Sequence, residues 1–186
     1  MGMPQIAELW TAERVRALPA DGNRYEVIAG ELFVTPAPSF DHQDAVLRIL
    51  IPIADYLERT GVGYASFSPA DIEFDAATLV QPDLFVVPLI EGRRPRRWSD
   101  IKRLLLAVEV LSPSTARADR SVKRRLYQRV DVPEYWIVDV EARLVERWQP
   151  TDARPEIVID TLTWQPDPAQ APLIIDLPAL FAAILD

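Results

Sequence analysis

The pattern of apolar and polar positions predicts a chain that contains both strands and helices. The most continuous apolar run covers residues 104–111, which is short, rich in branched side chains and interrupted by one carboxylate, Glu109. Such a run is typical of a central strand that is covered on both faces of its sheet. Residues 84–87 form a second short apolar run, with Asp83 at its entrance. The two runs predict two inner strands of one sheet.

The other periodic segments predict the elements around these strands. Helical spacing indicates helices over 6–18, from Asp41 as N-cap to about 59, over 119–130, and after Pro178 near the C-terminus. We expect Pro52 to bend or divide the second helix. Residues 25–28 and 31–34 predict a hairpin around Ala29-Gly30. Further strands are predicted at 61–66, 71–74, 135–138 and 144–148, with an edge strand over 157–162.

Two acidic residues on the inner strands form the first candidate site. A buried, unpaired charge costs several kcal/mol, so we expect Glu109 to be protonated, paired with a cation or bound to a metal. Pro82 fixes the approach to the other strand and leaves Asp83 as its first polar residue. Magnesium commonly binds one or two carboxylates together with water and substrate phosphate. Asp83 and Glu109 are therefore candidate ligands of a divalent cation.

The predicted helix over 119–130 supplies a candidate cation for this site. On a helical wheel, Lys123 falls inside the apolar arc, which consists of Val122, Leu126, Tyr127 and Val130. Asp119 is the candidate N-cap of the helix, whereas Arg120 and Arg124 lie outside the arc. Lys123 either points toward the sheet or extends along the edge of the arc with its ammonium group in water.

Composition limits the class of protein. A chain of 186 residues without cysteine predicts a single domain over 1–186, excludes disulfides and thiolate zinc sites, and fits the reducing cytoplasm. No apolar segment approaches the ~20 residues that cross a bilayer, so we expect no membrane partner. The single histidine excludes multi-histidine zinc sites, and phosphate-binding P-loop and G-x-S-x-G motifs are absent.

Charge is distributed unevenly along the chain. The net charge of −8 disfavours a nucleic-acid partner, but residues 91–130 carry twelve Lys or Arg against four Asp or Glu. Arg93, Arg94, Arg96 and Arg97 form either a solvated loop or a segment that contacts nucleic acid. Trp98 beside them is available for packing or for stacking a base.

Several motifs together resemble the Uma-two family of the restriction-endonuclease-like PD-(D/E)XK superfamily. They are Pro82-Asp83, Glu109-Val-Leu-Ser-Pro-Ser-Thr, Asp119, Lys123, Tyr127 and Val132-Pro-Glu-Tyr-Trp-Ile-Val-Asp139. Arg24-Tyr-Glu-Val-Ile-Ala-Gly-Glu-Leu and Thr35-Pro-Ala-Pro-Ser-Phe-Asp-His42 are also similar to that family. The resemblance covers residues 6–148, and it implies an α/β, restriction endonuclease-like fold with a central mixed β-sheet flanked by helices.

The resemblance also implies a reaction, the metal-dependent hydrolysis of phosphodiester bonds in nucleic acid, with DNA as the expected substrate. In this interpretation Asp83, Glu109 and the backbone carbonyl of Val110 hold Mg²⁺ or Mn²⁺, and Lys123 assists the attacking water. The lysine of the superfamily usually lies two residues after the glutamate, where this chain has Leu111. Lys123 must therefore reach the same point from the following helix, as the Uma-two pattern implies.

Further residues are candidates for supporting roles. His42 is either a hydrogen-bonded structural residue or a neighbour of the substrate phosphate, and Tyr127 either bonds to the site or packs. Glu31 and Glu26 are candidates for a third acid, although a surface position is expected for both. The predicted nucleic-acid contacts are the four loop arginines, Arg93, Arg94, Arg96 and Arg97, with Arg120 and Arg124 of the helix.

Two alternatives to an active nuclease stay open. A module with the same fold could bind nucleic acid or protein without cutting, or the acids could be hydrogen-bonded structural residues that bind no metal. A homodimer is plausible, because two sites are the simplest means of cutting both strands of a duplex.

Overall fold

The computed structural model describes residues 9–185, which form five helices, a π-helical segment, a 3₁₀ turn and twelve strands within that range. The helices are α1 (Ala12–Arg16), α2 (Phe40–Thr60), α3 (Ala116–Ala118), α4 (Arg124–Arg129) and α5 (Leu177–Leu185), and the 3₁₀ turn is Trp98–Asp100. The first six strands are β1 (Arg24–Ile28), β2 (Glu31–Thr35), β3 (Gly63–Phe67), β4 (Ile72–Asp75), β5 (Thr78–Val80) and β6 (Leu84–Pro88). The others are β7 (Leu106–Val110), β8 (Tyr135–Asp139), β9 (Leu144–Trp148), β10 (Glu156–Val158), β11 (Thr161–Trp164) and β12 (Leu173–Asp176).

A six-stranded sheet forms the centre of the fold, in the order β10-β9-β8-β7-β6-β3. Strands β7 and β8 are parallel and the other pairs are antiparallel. Helices α2 and α5 pack on one face, and α4 packs on the other face together with part of a second sheet, β2-β1-β5-β4. The predicted α/β fold with a central mixed sheet flanked by helices is confirmed.

Strand alternation places the two candidate acids on one face of this sheet. Leu84 and Val108 are paired across β6 and β7, and both pack in the core beneath α2. Phe85 and Ala107, which are also paired, face the opposite core. Because successive side chains point to opposite faces, Asp83 and Glu109 share the face that α4 covers.

The hairpin and the long helix follow their predictions with small differences. Ala29 and Gly30 form the turn between β1 and β2, both with positive φ, as a two-residue hairpin of this type requires. Helix α2 begins one residue before the predicted N-cap: Ser39 is the cap, and its hydroxyl accepts a hydrogen bond from the His42 N–H at 3.2 Å. The helix contains Pro52 and is not divided there.

Other element predictions were incomplete. Residues 6–8 of the first predicted helix lie outside the described range, and the rest forms only the short helix α1 after Thr11. The predicted edge strand over 157–162 is two strands, β10 and β11, and β11 pairs with β12 in a separate hairpin. Strand β5 was not predicted. No helix among the described residues is long and apolar enough to cross a membrane.

The helix that follows β7 has an irregular geometry. It begins with α3, three residues before the predicted start, continues as a π-helical segment over Asp119–Lys123, and ends with α4. Asp119 is therefore inside the helix, and its prediction as the N-cap was wrong. A π-segment widens one helical turn, and such segments frequently occur at functional sites. Both of its end residues, Asp119 and Lys123, are buried.

Candidate active site

A buried cluster of charged side chains lies where β1, β6, β7 and the π-segment meet. It contains four carboxylates and two permanent cations, which are Glu26, Asp83, Glu109, Asp119, Arg24 and Lys123. The exposed fraction of Asp83, Glu109 and Lys123 is only 1–3%. Because isolated charges are costly in such surroundings, each group must find partners within the cluster.

Lys123 lies at the centre of the cluster and points toward the sheet. Its Nζ is 2.9 Å from Glu109 Oε1 and 3.0 Å from Glu26 Oε2, and Asp119 Oδ1 lies 3.7 Å away. The Tyr127 hydroxyl donates a hydrogen bond to the same Glu109 oxygen at 3.3 Å. Glu109 is thus paired with a cation, one of the three states expected for it, and Tyr127 bonds to the site.

Among the described residues, the carboxylate of Asp83 has three partners of its own, which are Arg24, His42 and the backbone of Val110. Its Oδ1 accepts a hydrogen bond from Arg24 Nη1 at 2.6 Å. Its Oδ2 accepts one from the Val110 N–H at 2.9 Å and lies 3.0 Å from His42 Nε2. The contact that Val110 makes with Asp83 is through its amide, and its carbonyl as a metal ligand stays a prediction. These bonds join β6 to β7 just beyond their last ladder pair, Leu84 with Val108.

The surroundings shift the pKa values of the acids in opposite directions. Burial alone would raise the pKa of Asp83, but the His42 hydrogen bond and the Arg24 charge hold it well below its ordinary value. Burial raises the pKa of Glu109 well above its ordinary value, although Lys123 opposes this and Asp83 adds to it. Burial also raises the pKa of Asp119. Asp83 is therefore the firmly ionised acid, and Glu109 is the acid that most needs a further cation.

The pKa of Lys123 is raised by the acids around it. Burial by itself would lower that pKa, but Glu109 and then Glu26 raise it above its ordinary value. The ammonium group therefore stays charged. With Arg24 it balances two of the four carboxylates, which leaves two negative charges in excess when all four acids are ionised.

The donor set of the cluster fits a hard divalent cation. Carboxylate oxygens are the ligands that Mg²⁺ and Mn²⁺ prefer, and one such ion would balance the excess of two charges. Asp119 Oδ1 is buried and accepts no hydrogen bond. Within residues 9–185, no three His, Asp or Glu side chains form a ready-made metal site. The residues thus fit an ion held by one or two carboxylates, whose coordination is completed by other oxygens.

A cleft of about 520 Å³ opens beside this cluster. Arg24, His42 and Asp83 line it, whereas Glu109 and Lys123 do not. The rest of its wall is formed mainly by proline and small polar residues from several loops, which include Pro36, Pro38, Ser68, Pro69, Ser112, Pro113 and Ser114. The cleft thus gives access to Asp83 from solvent, and the buried half of the cluster lies behind it.

A family model described as "Putative restriction endonuclease", Uma2, matches residues 12–177. The chain belongs to the Uma2 family. Among solved structures, it is similar to a protein of Anabaena variabilis described as "a putative nuclease belonging to DUF820", with a TM-score of 0.72 and 17% sequence identity. The match covers 95% of this chain and 99% of that chain, and it shows a shared nuclease-like fold. No curated protein matches the chain.

Several predicted site residues of this Uma2 protein lie away from the cluster. Glu31 is exposed beside the hairpin turn, so the structure does not support it as a third acid. Arg93, Arg94, Arg96 and Arg97 do not line the cleft at Asp83. Three of them line a different pocket with Val87, which is near the other end of β6, about 13 Å from Asp83 at the usual strand rise. Contact of this loop with nucleic acid stays a prediction.

The two helical arginines are engaged within the protein. Arg120 forms ion pairs with Asp139 and Glu146. Arg124 lies 4.9 Å from the ring centre of Trp148 and donates a hydrogen bond to Gln128. Contact of either arginine with nucleic acid stays a prediction.

The structure brings two residues of β1 into the cluster. Glu26, a candidate third acid for which a surface position was expected, is buried, and its other carboxylate oxygen accepts a hydrogen bond from the Gln81 N–H at 2.7 Å. Arg24, which sequence analysis left without a role, pairs with Asp83. Both are on β1 at alternate positions, so a charged pair within an otherwise apolar strand is the signal that could have found them.

Proposed function

We propose that this Uma2 protein is a metal-dependent endonuclease that hydrolyses phosphodiester bonds in nucleic acid, with DNA as the substrate. The observation that carries the proposal is the burial of Lys123 against Glu109, beside an Asp83 that lines an open cleft. A buried ion pair often stabilises a fold no more than apolar side chains of the same size, because each charge loses its water on burial. Stability alone therefore does not explain a charged lysine that is buried among carboxylates. Perturbed, buried groups in a cleft are typical of catalytic sites.

In this proposal Asp83 and Glu109, with the backbone carbonyl of Val110, hold one Mg²⁺ or Mn²⁺. When bound, the ion polarises the scissile phosphate and lowers the pKa of a bound water. Glu109 binds only as its carboxylate, so its raised pKa predicts that metal binding weakens as pH falls. Lys123 is fixed by Glu109 and Glu26 and donates toward the attacking water or the charge that develops on the phosphate.

The remaining residues have positioning roles in the proposal. Glu26 and Asp119 hold the ammonium of Lys123, and Tyr127 holds the Glu109 carboxylate. Arg24 and His42 lie at the cleft and contact Asp83, so they are placed to hold that carboxylate and to meet the phosphate of an entering strand. Two copies of the chain, each with one such site, would cut both strands of a duplex.

Incubation of the purified protein with supercoiled plasmid tests the proposal. We expect nicked and linear products with Mg²⁺ or Mn²⁺ and none with excess EDTA, and the Glu109→Gln variant should give none with either ion.

One observation favours the alternative of a module that binds without cutting. Both oxygens of Asp83 already have protein partners, so an ion must compete with Arg24 and His42 for this carboxylate. Binding of DNA by the wild-type protein without cleavage in any divalent metal would contradict the nuclease proposal and support that alternative. Cleavage that persists in Glu109→Gln would contradict the assignment of the site.

A further inference from the structure

A second pocket, of about 440 Å³, lies between β3 and the basic loop that follows β6. We call it the arginine pocket. Its wall combines three aromatic side chains with three guanidinium groups, from Tyr64, Phe85, Trp98, Arg94, Arg96 and Arg97. Its volume is in the range of small-ligand sites, roughly 300–1,000 Å³, and is far too small for a double helix.

The arginines of this pocket are available to an anion. Residues 91–103 carry six Lys or Arg against two acids, in a chain with a net charge of −8. Arg94 and Arg96 are exposed. Among the described residues, the one ion pair in this group joins Arg97 to Asp100 at 3.1 Å. The Arg94 guanidinium lies 5.6 Å from the ring centre of Tyr64, a cation–π contact, and Arg94 forms no ion pair among the described residues.

Trp98 gives the pocket a surface for a flat ring. It begins the 3₁₀ turn, contacts Phe85 edge-on with ring centres 6.4 Å apart, and exposes 48% of its surface. An indole that is fixed on one side and open on the other is a stacking platform for a base. The base must be unpaired, because the bases of a duplex are stacked on each other and do not reach such a pocket.

The edge strand β3 connects the arginine pocket to the cleft at Asp83. Tyr64 and Ser66 of β3 line the arginine pocket, and Ser68, which directly follows β3, lines the cleft. By the register of β3 with β6, Tyr64 and Ser66 face the same side as Val87 and Phe85, which is also the side of Asp83. The distance along the strand is about 13 Å, which corresponds to a few nucleotides.

We propose that the arginine pocket binds an unpaired nucleotide of single-stranded nucleic acid, whose strand runs along β3 to the cleft. Arg94 and Arg96 bind its phosphates and Trp98 stacks its base. The proposal rests on the proposed function for its second part, the delivery of the strand to Asp83. It gives the acidic protein a local basic contact and makes unpaired segments, such as those that a supercoiled duplex exposes, the preferred place of cleavage.

Binding of a fluorescently labelled oligothymidine of about 15 nucleotides, measured by anisotropy in EDTA, tests this proposal without cleavage. The double variant Arg94→Ala/Arg96→Ala should bind at least about tenfold more weakly. The slope of log Kd against log salt should fall by about 1.4, since each single-strand phosphate contact contributes about 0.7. Trp98→Ala should bind about fivefold to a hundredfold more weakly, and Trp98→Phe should recover most of the loss.

The matched control is Arg125→Ala/Arg129→Ala, which removes the same charge from exposed positions on α4. Its Kd should stay within about twofold of wild type. Equal weakening by both double variants, or an unchanged Kd for Arg94→Ala/Arg96→Ala, would overturn the proposal, as would equally tight binding of a duplex of the same length. If the wild-type protein binds the oligonucleotide as expected but cleaves no substrate in any metal, the nuclease proposal is contradicted and the binding proposal is not.

Discussion

Replacement of Lys123 by methionine should lower the free energy of unfolding by about 3–5 kcal/mol at pH 7. Methionine keeps the length of the side chain but leaves Glu26, Glu109 and Asp119 buried without the cation that contacts them. The same variant should reduce kcat for cleavage on the order of 10²–10³-fold, because the charge that develops on the phosphate loses its donor. Urea unfolding in EDTA measures the first effect, and plasmid cleavage measures the second.

The stability effect of Lys123→Met has a defined dependence on pH. The folded pKa of Lys123 lies above its unfolded value, so its contribution is fully present at pH 7 and is lost only at strongly alkaline pH. In the variant, Glu109 and Asp119 lose the cation that opposes the rise of their pKa values above the unfolded value of about 4. The folded state then binds more protons, and the deficit should shrink as pH falls from 7 to 5.

Lys102→Met is the matched control, since Lys102 is the other lysine of the chain and is exposed. It should leave unfolding and cleavage within experimental error of wild type. A Lys123→Met variant that is as stable as wild type and cuts normally would show that the ammonium group neither balances the cluster nor takes part in the reaction.

Asp83→Asn should abolish metal-dependent cleavage, with a loss on the order of 10³-fold or more. Asparagine has the shape of aspartate, but it cannot balance the charge of Arg24 or bind a cation as a carboxylate does. Steady-state cleavage in Mg²⁺ and in Mn²⁺ measures the effect. The exposed ion pair of α2 offers a control, Asp55→Asn, which should keep full activity.

Asp83→Asn should also destabilise the protein, with a deficit that shrinks at a lower pH than the deficit of Lys123→Met. The folded pKa of Asp83 is lowered, so its stabilising contribution is present above the unfolded pKa of about 4 and is lost as pH falls through the folded pKa. The variant should therefore be less stable than wild type at pH 7, and the difference should begin to shrink only below about pH 4, as pH falls toward the folded pKa. Equal stability at pH 7 would contradict the role of Asp83 as the partner of Arg24.

The sequence alone was sufficient for the part of the site that lies on regular elements. Apolar runs predicted the strand that carries Glu109 and the strand that follows Asp83, and a helical wheel predicted that Lys123 could face them. Burial fixed the orientation of the helix, because its apolar arc can be covered only when it packs on the sheet.

The part of the site that the sequence did not predict depends on contacts between distant segments. Glu26 and Arg24 belong to a hairpin of the second sheet, and only the packing of that sheet on the central one places them beside Lys123 and Asp83. The pattern of β1 was compatible with a surface position for Glu26, as the pattern of β2 was for Glu31, and only Glu31 is exposed. Local pattern could not distinguish the two.

Backbone irregularity and turn geometry explain the other differences. The π-segment over Asp119–Lys123 moves Asp119 from the expected cap to the interior, and no sequence rule used for regular helices predicts the wider turn. The loop with Arg94 and Arg96 follows the far end of β6, because the strand direction carries the chain away from Asp83.

A crystal of the protein soaked in Mn²⁺, with anomalous diffraction measured near the manganese edge, tests the central claim most directly. We predict one ion per chain within bonding distance of both the Asp83 and Glu109 carboxylates, and no ion at that position in Asp83→Asn. Density that shows both acids still bound only to their protein partners at millimolar Mn²⁺, or an ion held elsewhere, would contradict the claim that these two residues share a catalytic metal.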